Sequence, residues 1–182
     1  MVAYHEAGHT IVGMVLSDAR IVHKVTIVPR GRAGGYAIML PKEDRFLMTK
    51  DELLEQVVGL LGGRVAEEVV FNVQTTGASN DFEQATGLIR SMVTEYGMSS
   101  LGPIFYEART EFSWLAEEFG EKAPISEEMS AKIDAEITKI IDNSYKEAKR
   151  ILTEKRETLD RVANKLLEVE TIDGDEFKKL LD

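Results

Sequence analysis

Five consecutive residues, His5-Glu6-Ala7-Gly8-His9, have the types and spacing of a metal-dependent hydrolytic site. On a helix, residues four apart stand on one face, about 6 Å apart in rise. His5 and His9 can therefore turn their imidazoles toward one ion. Glu6 lies about 100° further round, where it flanks that ion without having to ligate it. Two neutral imidazoles suit zinc, and a flanking carboxylate suits a general base. Zinc supplies such a site's chemistry by lowering the pKa of a coordinated water from about 15.7 to near 7 and by polarising a carbonyl. Glu6 is then the group that takes the water's proton and passes it to the departing amine. The chain has three histidines, and two of them are in this motif.

Such a site needs a third protein ligand. A further histidine six residues after the second would stand at position 15, which is Val15. His23 is the spare histidine, and a surface or half-buried role explains it more simply. The chain contains no cysteine, which removes thiolate ligands, disulfides and cysteine nucleophiles together. A carboxylate is required, and Asp and Glu number 32. Two places attract attention: Glu67 and Glu68, on an otherwise apolar helix, and Asp81, in the first turn of another. A solvated face would also explain Glu67 and Glu68, and helix-dipole preference would also explain Asp81. Spacing does not choose between them.

The elements that must position these residues follow from patterning. Met1 to about Leu16 reads as a helix with Ile11, Val12, Val15 and Leu16 on its apolar face. Lys24 to Val28 and Tyr36 to Leu40 read as strands, each closed by a proline, with a turn-rich loop between them. His23 falls just before the first. Thr49 to Glu52 is a capping box opening a helix to about Val70. Gly59, Gly62 and Gly63 in that helix imply close approach of another backbone. After a loop from Asn72 to Ala78, Ser79 or Asn80 is placed to cap a helix ending near Tyr96, with Glu83 completing a box from Asn80. Residues 98 to 125 read as a long loop. Ser126 caps a long helix, a second runs from about Lys155 to Val169, and a short one begins at Asp173-Gly174. The apolar stripes of residues 129 to 145 and 159 to 167 read as core or interface; they exceed what a lone terminal helix needs, so subunit contact is expected of them, with part of the surface serving as core.

At 182 residues and 43% hydrophobic content, the chain is long enough to bury a core. A net charge of −10 argues against nucleic-acid binding, which needs a basic face. No apolar run approaches the roughly 18 residues of a membrane helix. The motif begins within the first turns of the chain, so a fragment of a longer protein is expected.

Four ordered motifs carry a resemblance: His5-Glu6-Ala7-Gly8-His9, Val22 to Gly31 (VHKVTIVPRG), Gly62 to Glu68 (GGRVAEE) and Thr76 to Asp81 (TGASND). Together they closely resemble the peptidase domain of the FtsH family of membrane-anchored, ATP-dependent zinc metalloproteases. The likeness spans essentially the whole chain and is weakest from about 105 to 125. It implies a mainly α fold, a helical metalloprotease domain with a small β-sheet beside the active-site helix. Residues 1–100 would form its catalytic part and 126–182 its C-terminal helical part. It implies one Zn2+ per chain, held by His5, His9 and Asp81, with Glu6 as catalytic base and Glu67 as a nearby supporting or alternative ligand. It also implies unfolded polypeptides as substrates. These would be laid as an added strand along Gly35, Tyr36, Ala37 and Ile38, although an ordinary sheet edge ending in Pro41 would read the same. The parent would be a bacterial homo-hexamer in the cell membrane with this domain facing the cytoplasm, working with an AAA+ ATPase domain of the same chain. ATP would bind only in that other domain, because no G-x-x-x-x-G-K-[ST] phosphate loop occurs here.

Overall fold

The computed structural model describes residues 1–16, 20–31, 34–41, 47–106 and 125–181. Among them are six α-helices and three short strands: α1 (Val2–Leu16), β1 (Arg20–Thr26), β2 (Tyr36–Pro41), α2 (Lys50–Phe71), α3 (Ser79–Thr94), α4 (Glu127–Glu154), α5 (Arg156–Val169), β3 (Thr171–Asp173) and α6 (Gly174–Leu181). The chain is thus mainly α with a small antiparallel sheet, as expected. Part of the expected loop between the two strands, and most of the one expected over residues 98 to 125, lie outside the described residues. No helix among the described residues is long and apolar enough to cross a membrane.

Helix α2 is the centre of the packing. Thr49 caps it: its hydroxyl accepts from the Glu52 N–H, and the Glu52 carboxylate accepts from the Thr49 N–H. This reciprocal pair satisfies two amide donors that a helix start leaves open. One side of α2 (Val57, Leu61) packs on Ala85, Ile89 and Val93 of α3 and Ile133 and Ile137 of α4. Its other side (Val58, Val65, Ala66) joins Ala3, Ala7, Ile11 and Val12 of α1 and Leu159, Val162 and Leu166 of α5. A helix buried on both sides needs no strong one-faced pattern. Residues beyond 126 therefore supply part of both cores. Most of the two C-terminal apolar stripes is consumed this way, leaving Leu167 exposed.

Glycine sets the spacing of α1 against α2. A Cβ on Gly62 would stand 2.7 Å from the Gly8 carbonyl oxygen, and a Cβ on Gly8 would strike the Gly62 carbonyl. The two backbones meet where neither carries a side chain. At Gly59 the same test meets nothing within 4 Å, so the expectation of a close backbone there is corrected.

The sheet runs β2-β1-β3, with β1 in the middle. Pairing is Thr26 with Tyr36, Val25 with Ala37 and Lys24 with Ile38, then slips so that Val22 meets Met39. The slip is a bulge at His23, which is exposed. The bulge turns both Val22 and Val25 into the core, though they are three residues apart. Strand β1 is therefore earlier than the expected Lys24–Val28, and His23 lies within it. Strand β3 has no counterpart in the pattern reading. It is three residues long and exists through pairing with β1, Ile172 opposite Val25.

Three further corrections concern helix faces and ends. Val15 of α1 is exposed, and the buried face is carried by Ala3, Ala7, Ile11 and Val12. Helix α3 does not start from a side-chain cap at Ser79 or Asn80. A 3-10 turn, Thr76–Ala78, leads straight into it, and the capping hydroxyl is that of Thr75, which accepts from the Gly77 N–H. Helix α3 also ends at Thr94, two residues before the expected Tyr96.

The glycine contrast has a measurable sign. Gly62→Ala should destabilise the fold by about 1–3 kcal/mol, because two backbones must part. Gly59→Ala should stabilise by about 0.5–1 kcal/mol, because a helical glycine is replaced with no neighbour to strike. Urea unfolding of the two variants compares them, and equal signs would refute this account of the crossing.

Candidate metal centre

His5 and His9 lie one turn apart on α1, and Asp81 lies in the first turn of α3. The three meet. His5 Nε2 and His9 Nε2 are 3.1 Å apart, and Asp81 Oδ2 stands 3.2 Å from the first and 3.5 Å from the second. Among the described residues they are the group of side chains able to share one ion. Donors at about 2.0–2.1 Å from a tetrahedral zinc are separated by about 3.3 Å, which matches this triangle. All three side chains remain partly exposed, so the cluster opens to solvent.

The tautomers are set from behind. His5 Nδ1 donates to Glu67 Oε1 at 3.0 Å, and His9 Nδ1 donates to the Gly59 carbonyl at 2.9 Å. A carboxylate and a carbonyl only accept, so Nδ1 carries the ring proton in each neutral imidazole. Both Nε2 lone pairs then face each other and the Asp81 oxygen. Three converging lone pairs repel unless positive charge sits among them. A proton satisfies one edge of that triangle, whereas a divalent ion satisfies all three.

The same convergence shows in the affinity of these groups for a proton. Burial disfavours a charged Asp81, yet hydrogen bonds and charge from His5 and His9 outweigh it and hold its carboxyl well below the usual range. Burial likewise works against a charged His9. The Asp81 hydrogen bond and charge, helped by the Gly59 carbonyl and Glu6, nonetheless raise its pKa. Glycine leaves the room: a Cβ on Gly63 would stand 2.5 Å from both His5 Nε2 and His9 Nε2. Any side chain there would press on the ring nitrogens of both histidines.

Glu67 stands on the far side of His5. It is buried and accepts from the Thr75 N–H at 3.1 Å and the Thr75 hydroxyl at 3.0 Å as well as from His5. Arg64 donates to the Thr75 carbonyl and lies over the Phe82 ring at 5.1 Å. One cluster on α2 thus holds both the His5 ring and the turn that leads into Asp81. Thr75 lies outside the motifs, and Arg64, although inside the Gly62 to Glu68 string, has nothing in its spacing that announces this role. The glycines did announce a close approach, although at Gly63 the neighbour is a pair of imidazoles.

Glu6 is buried beside the two histidines. Burial pushes its carboxyl above its ordinary value; His9 and His5 pull it partly back, and Asp81 adds to the rise. It also borders β2: a Cβ on Gly35 would stand 2.9 Å from Glu6 Oε1 and 2.7 Å from the Thr26 carbonyl. Tyr36, Ala37 and Ile38 follow on β2, an edge strand of the described sheet. The Glu6 carboxylate therefore neighbours both the His5–His9–Asp81 cluster and the start of β2.

Residues 1–180 match peptidase family M41. The chain is 53% identical over its whole length to the ATP-dependent zinc metalloprotease FtsH of Bacillus subtilis (strain 168) and covers 29% of that protein. It is 56% identical over its whole length to the ATP-dependent zinc metalloprotease FtsH of Streptococcus pneumoniae serotype 4, covering 28% of it. Over 98% of the chain it is 51% identical to the protein of the same name from Magnetococcus marinus, covering 27% of it. The chain spans less than a third of the length of these curated relatives.

Two carboxylates with different partners should respond differently to loss of charge. Asp81→Asn should abolish most binding of a divalent metal. Glu67→Gln keeps an acceptor toward His5 and should weaken affinity by about 10–100-fold, the usual range for a group that orients a ligand. Calorimetric titration with Zn2+ gives both values. The reverse order would reassign the third ligand to Glu67.

Proposed function

The chain belongs to peptidase family M41, and on that premise we propose that it is the zinc-dependent endopeptidase module of a longer ATP-dependent protease, cutting the peptide bonds of unfolded polypeptides. The observation that carries this reading is the convergence of His5 Nε2, His9 Nε2 and Asp81 Oδ2 beside the buried Glu6. His5, His9 and Asp81 would hold one zinc per chain. When bound, zinc supplies Lewis acidity toward a carbonyl and lowers the pKa of water.

The other work falls to the chain's own groups. Glu6 accepts the proton of the attacking water at its carboxylate, holds it away from bulk solvent, and returns it to the departing amine nitrogen. A carboxyl pKa raised by burial brings its proton affinity closer to that of a base useful near neutral pH. Glu67 keeps the His5 ring in one orientation and tautomer. An extended peptide pairing with the outer edge of β2, along Gly35, Tyr36, Ala37 and Ile38, would pass beside Glu6. Backbone pairing gives affinity with little demand on side chains, which suits varied unfolded substrates.

The remaining parts of the proposal concern the parent. Its relatives are named ATP-dependent, and no phosphate-loop motif occurs here, so nucleotide use is assigned to an AAA+ domain elsewhere in a longer chain. A homo-hexameric ring at a bacterial membrane, this domain facing the cytoplasm and serving membrane and cytosolic quality control, follows from the family likeness. The exposed Leu167 and Val169 of α5 offer apolar contact for such a ring.

Two experiments test the reading. Glu6→Gln should keep zinc and fold but lower casein cleavage by about 10²–10⁴, because an amide cannot take the proton. Cleavage at the parent rate by this variant would remove Glu6 from the role. Secondly, the 182-residue chain alone should cleave casein slowly and spare a stable folded protein, with or without ATP. A substrate stabilised by about 5–15 kcal/mol is rarely open by itself. ATP-stimulated degradation of the folded substrate would overturn the assignment of unfolding to another domain.

A further inference from the structure

We propose that Arg64 is a positioning residue of the metal centre: it sets where the Asp81 carboxylate stands by gripping the chain on both sides of it. The inference rests on the reading of His5, His9 and Asp81 as zinc ligands and adds what holds the third of them. Each imidazole has a partner behind it, Glu67 for His5 and the Gly59 carbonyl for His9. The carboxylate is held differently. Among the described residues, the partners of Asp81 Oδ2 are the two imidazoles themselves, at 3.2 and 3.5 Å. Its direction must come from the backbone that carries it.

Arg64 holds that backbone at two points. One guanidinium N–H donates to the Thr75 carbonyl, just before the turn that leads into α3. The guanidinium carbon lies over the ring of Phe82, the residue after Asp81, at 5.1 Å from its centre. Successive helical residues point about 100° apart. Fixing the Phe82 ring therefore fixes the rotation of the first turn of α3 about its axis, and fixing Thr75 fixes where that turn begins. Asp81 lies between the two points. Arg64 is itself well anchored, because its side chain is largely buried and Gly62 and Gly63 precede it where α2 lies against α1. The neighbouring carboxylate does not set its place: Glu67 Oε2 stands 3.7 Å from Nε, too far for a hydrogen bond. What the position uses is a planar group that reaches a carbonyl with one N–H while covering an aromatic ring. A lysine would keep the charge but concentrate it at one point, so it could not span both.

The experiment titrates Zn2+ into Arg64→Lys and Phe82→Leu, each alone and combined with Asp81→Asn. The titrations run to millimolar metal, so that residual binding by two histidines is read, and the Tm of each zinc-free chain confirms folding. Affinity in Arg64→Lys is expected to fall about 10–100-fold, as for other groups that orient a ligand. Phe82→Leu keeps an apolar side chain against the core of α2, α3 and α4 and loses the ring, so affinity falls in the same direction. In the Asp81→Asn background neither change moves the residual affinity. This dependence on Asp81 separates positioning from a general loosening of the fold, which would weaken zinc by the same factor in both backgrounds. Equal factors would overturn the proposal, as would parental affinity in Arg64→Lys. If Arg64→Lys does not fold, Phe82→Leu decides: a loss of affinity with Asp81 present and none without it supports the grip, and any other pattern overturns it. A parent chain that binds no zinc would remove the metal-centre reading itself, and this inference with it.

Discussion

The buried carboxylate of Glu67 is the interaction on which the site depends. A carboxylate removed from water is costly unless donors surround it. Here the donors are the His5 ring and the backbone and hydroxyl of Thr75. One is on α1 and the others are on the turn before α3. Satisfying Glu67 therefore fixes an imidazole and the start of α3 at once, and Asp81 is carried in with that start. Arg64 adds a second tie to Thr75 from the same face of α2. This is how a residue remote from the histidines in sequence is held at hydrogen-bond distance from both.

Helix α2 can serve this way because it lies unusually close to α1. The meeting of Gly8 and Gly62 lets the helices touch backbone to backbone, and Gly63 leaves room for two imidazoles at the contact. The Gly59 carbonyl then reaches His9 Nδ1. Glycine in a helix costs stability, and here the absence of a side chain is what the geometry uses. Glu68, next to Glu67, faces the other way. It accepts from Lys149 at 2.7 Å and from the Tyr145 hydroxyl, tying α2 to α4. Burial, followed by the bond to Glu68, pushes the Tyr145 hydroxyl well above its ordinary range, so it stays a donor. Neighbouring glutamates on one helix thus hold two different sides of the molecule.

The sheet beside Glu6 is built with little material. Strand β1 is secured on one side by β2 and on the other by β3, whose Ile172 is fully buried opposite Val25. The C-terminal segment therefore braces the strand against which β2 is set. The bulge at His23 sends the third histidine outward and both valines inward, separating a residue of the right chemical type from the site.

Much of this was legible in the chain itself, wherever the deciding interactions are local. The His5-Glu6-His9 face follows from helical spacing, the start of α2 from a capping box closed within four residues, and the start of α4 from Ser126, whose hydroxyl accepts from the Met129 N–H. Gly62 could be read as a close approach from its cost alone. The choice between Glu67 and Asp81 could not, because both are helical carboxylates a few residues after glycine, Glu67 inside α2 and Asp81 just past the Thr76–Ala78 turn. Only packing decided which nitrogen of His5 each one meets, Nδ1 for Glu67 and Nε2 for Asp81. Strand β3 and the 3-10 start of α3 were hidden for the same reason. Three residues have no period of their own, and Thr75 caps that turn while its amide and hydroxyl also meet Glu67. Residue type and spacing determined which groups could do chemistry; which of them meet was left to tertiary contacts, because orienting a side chain toward a remote partner takes the whole packed core.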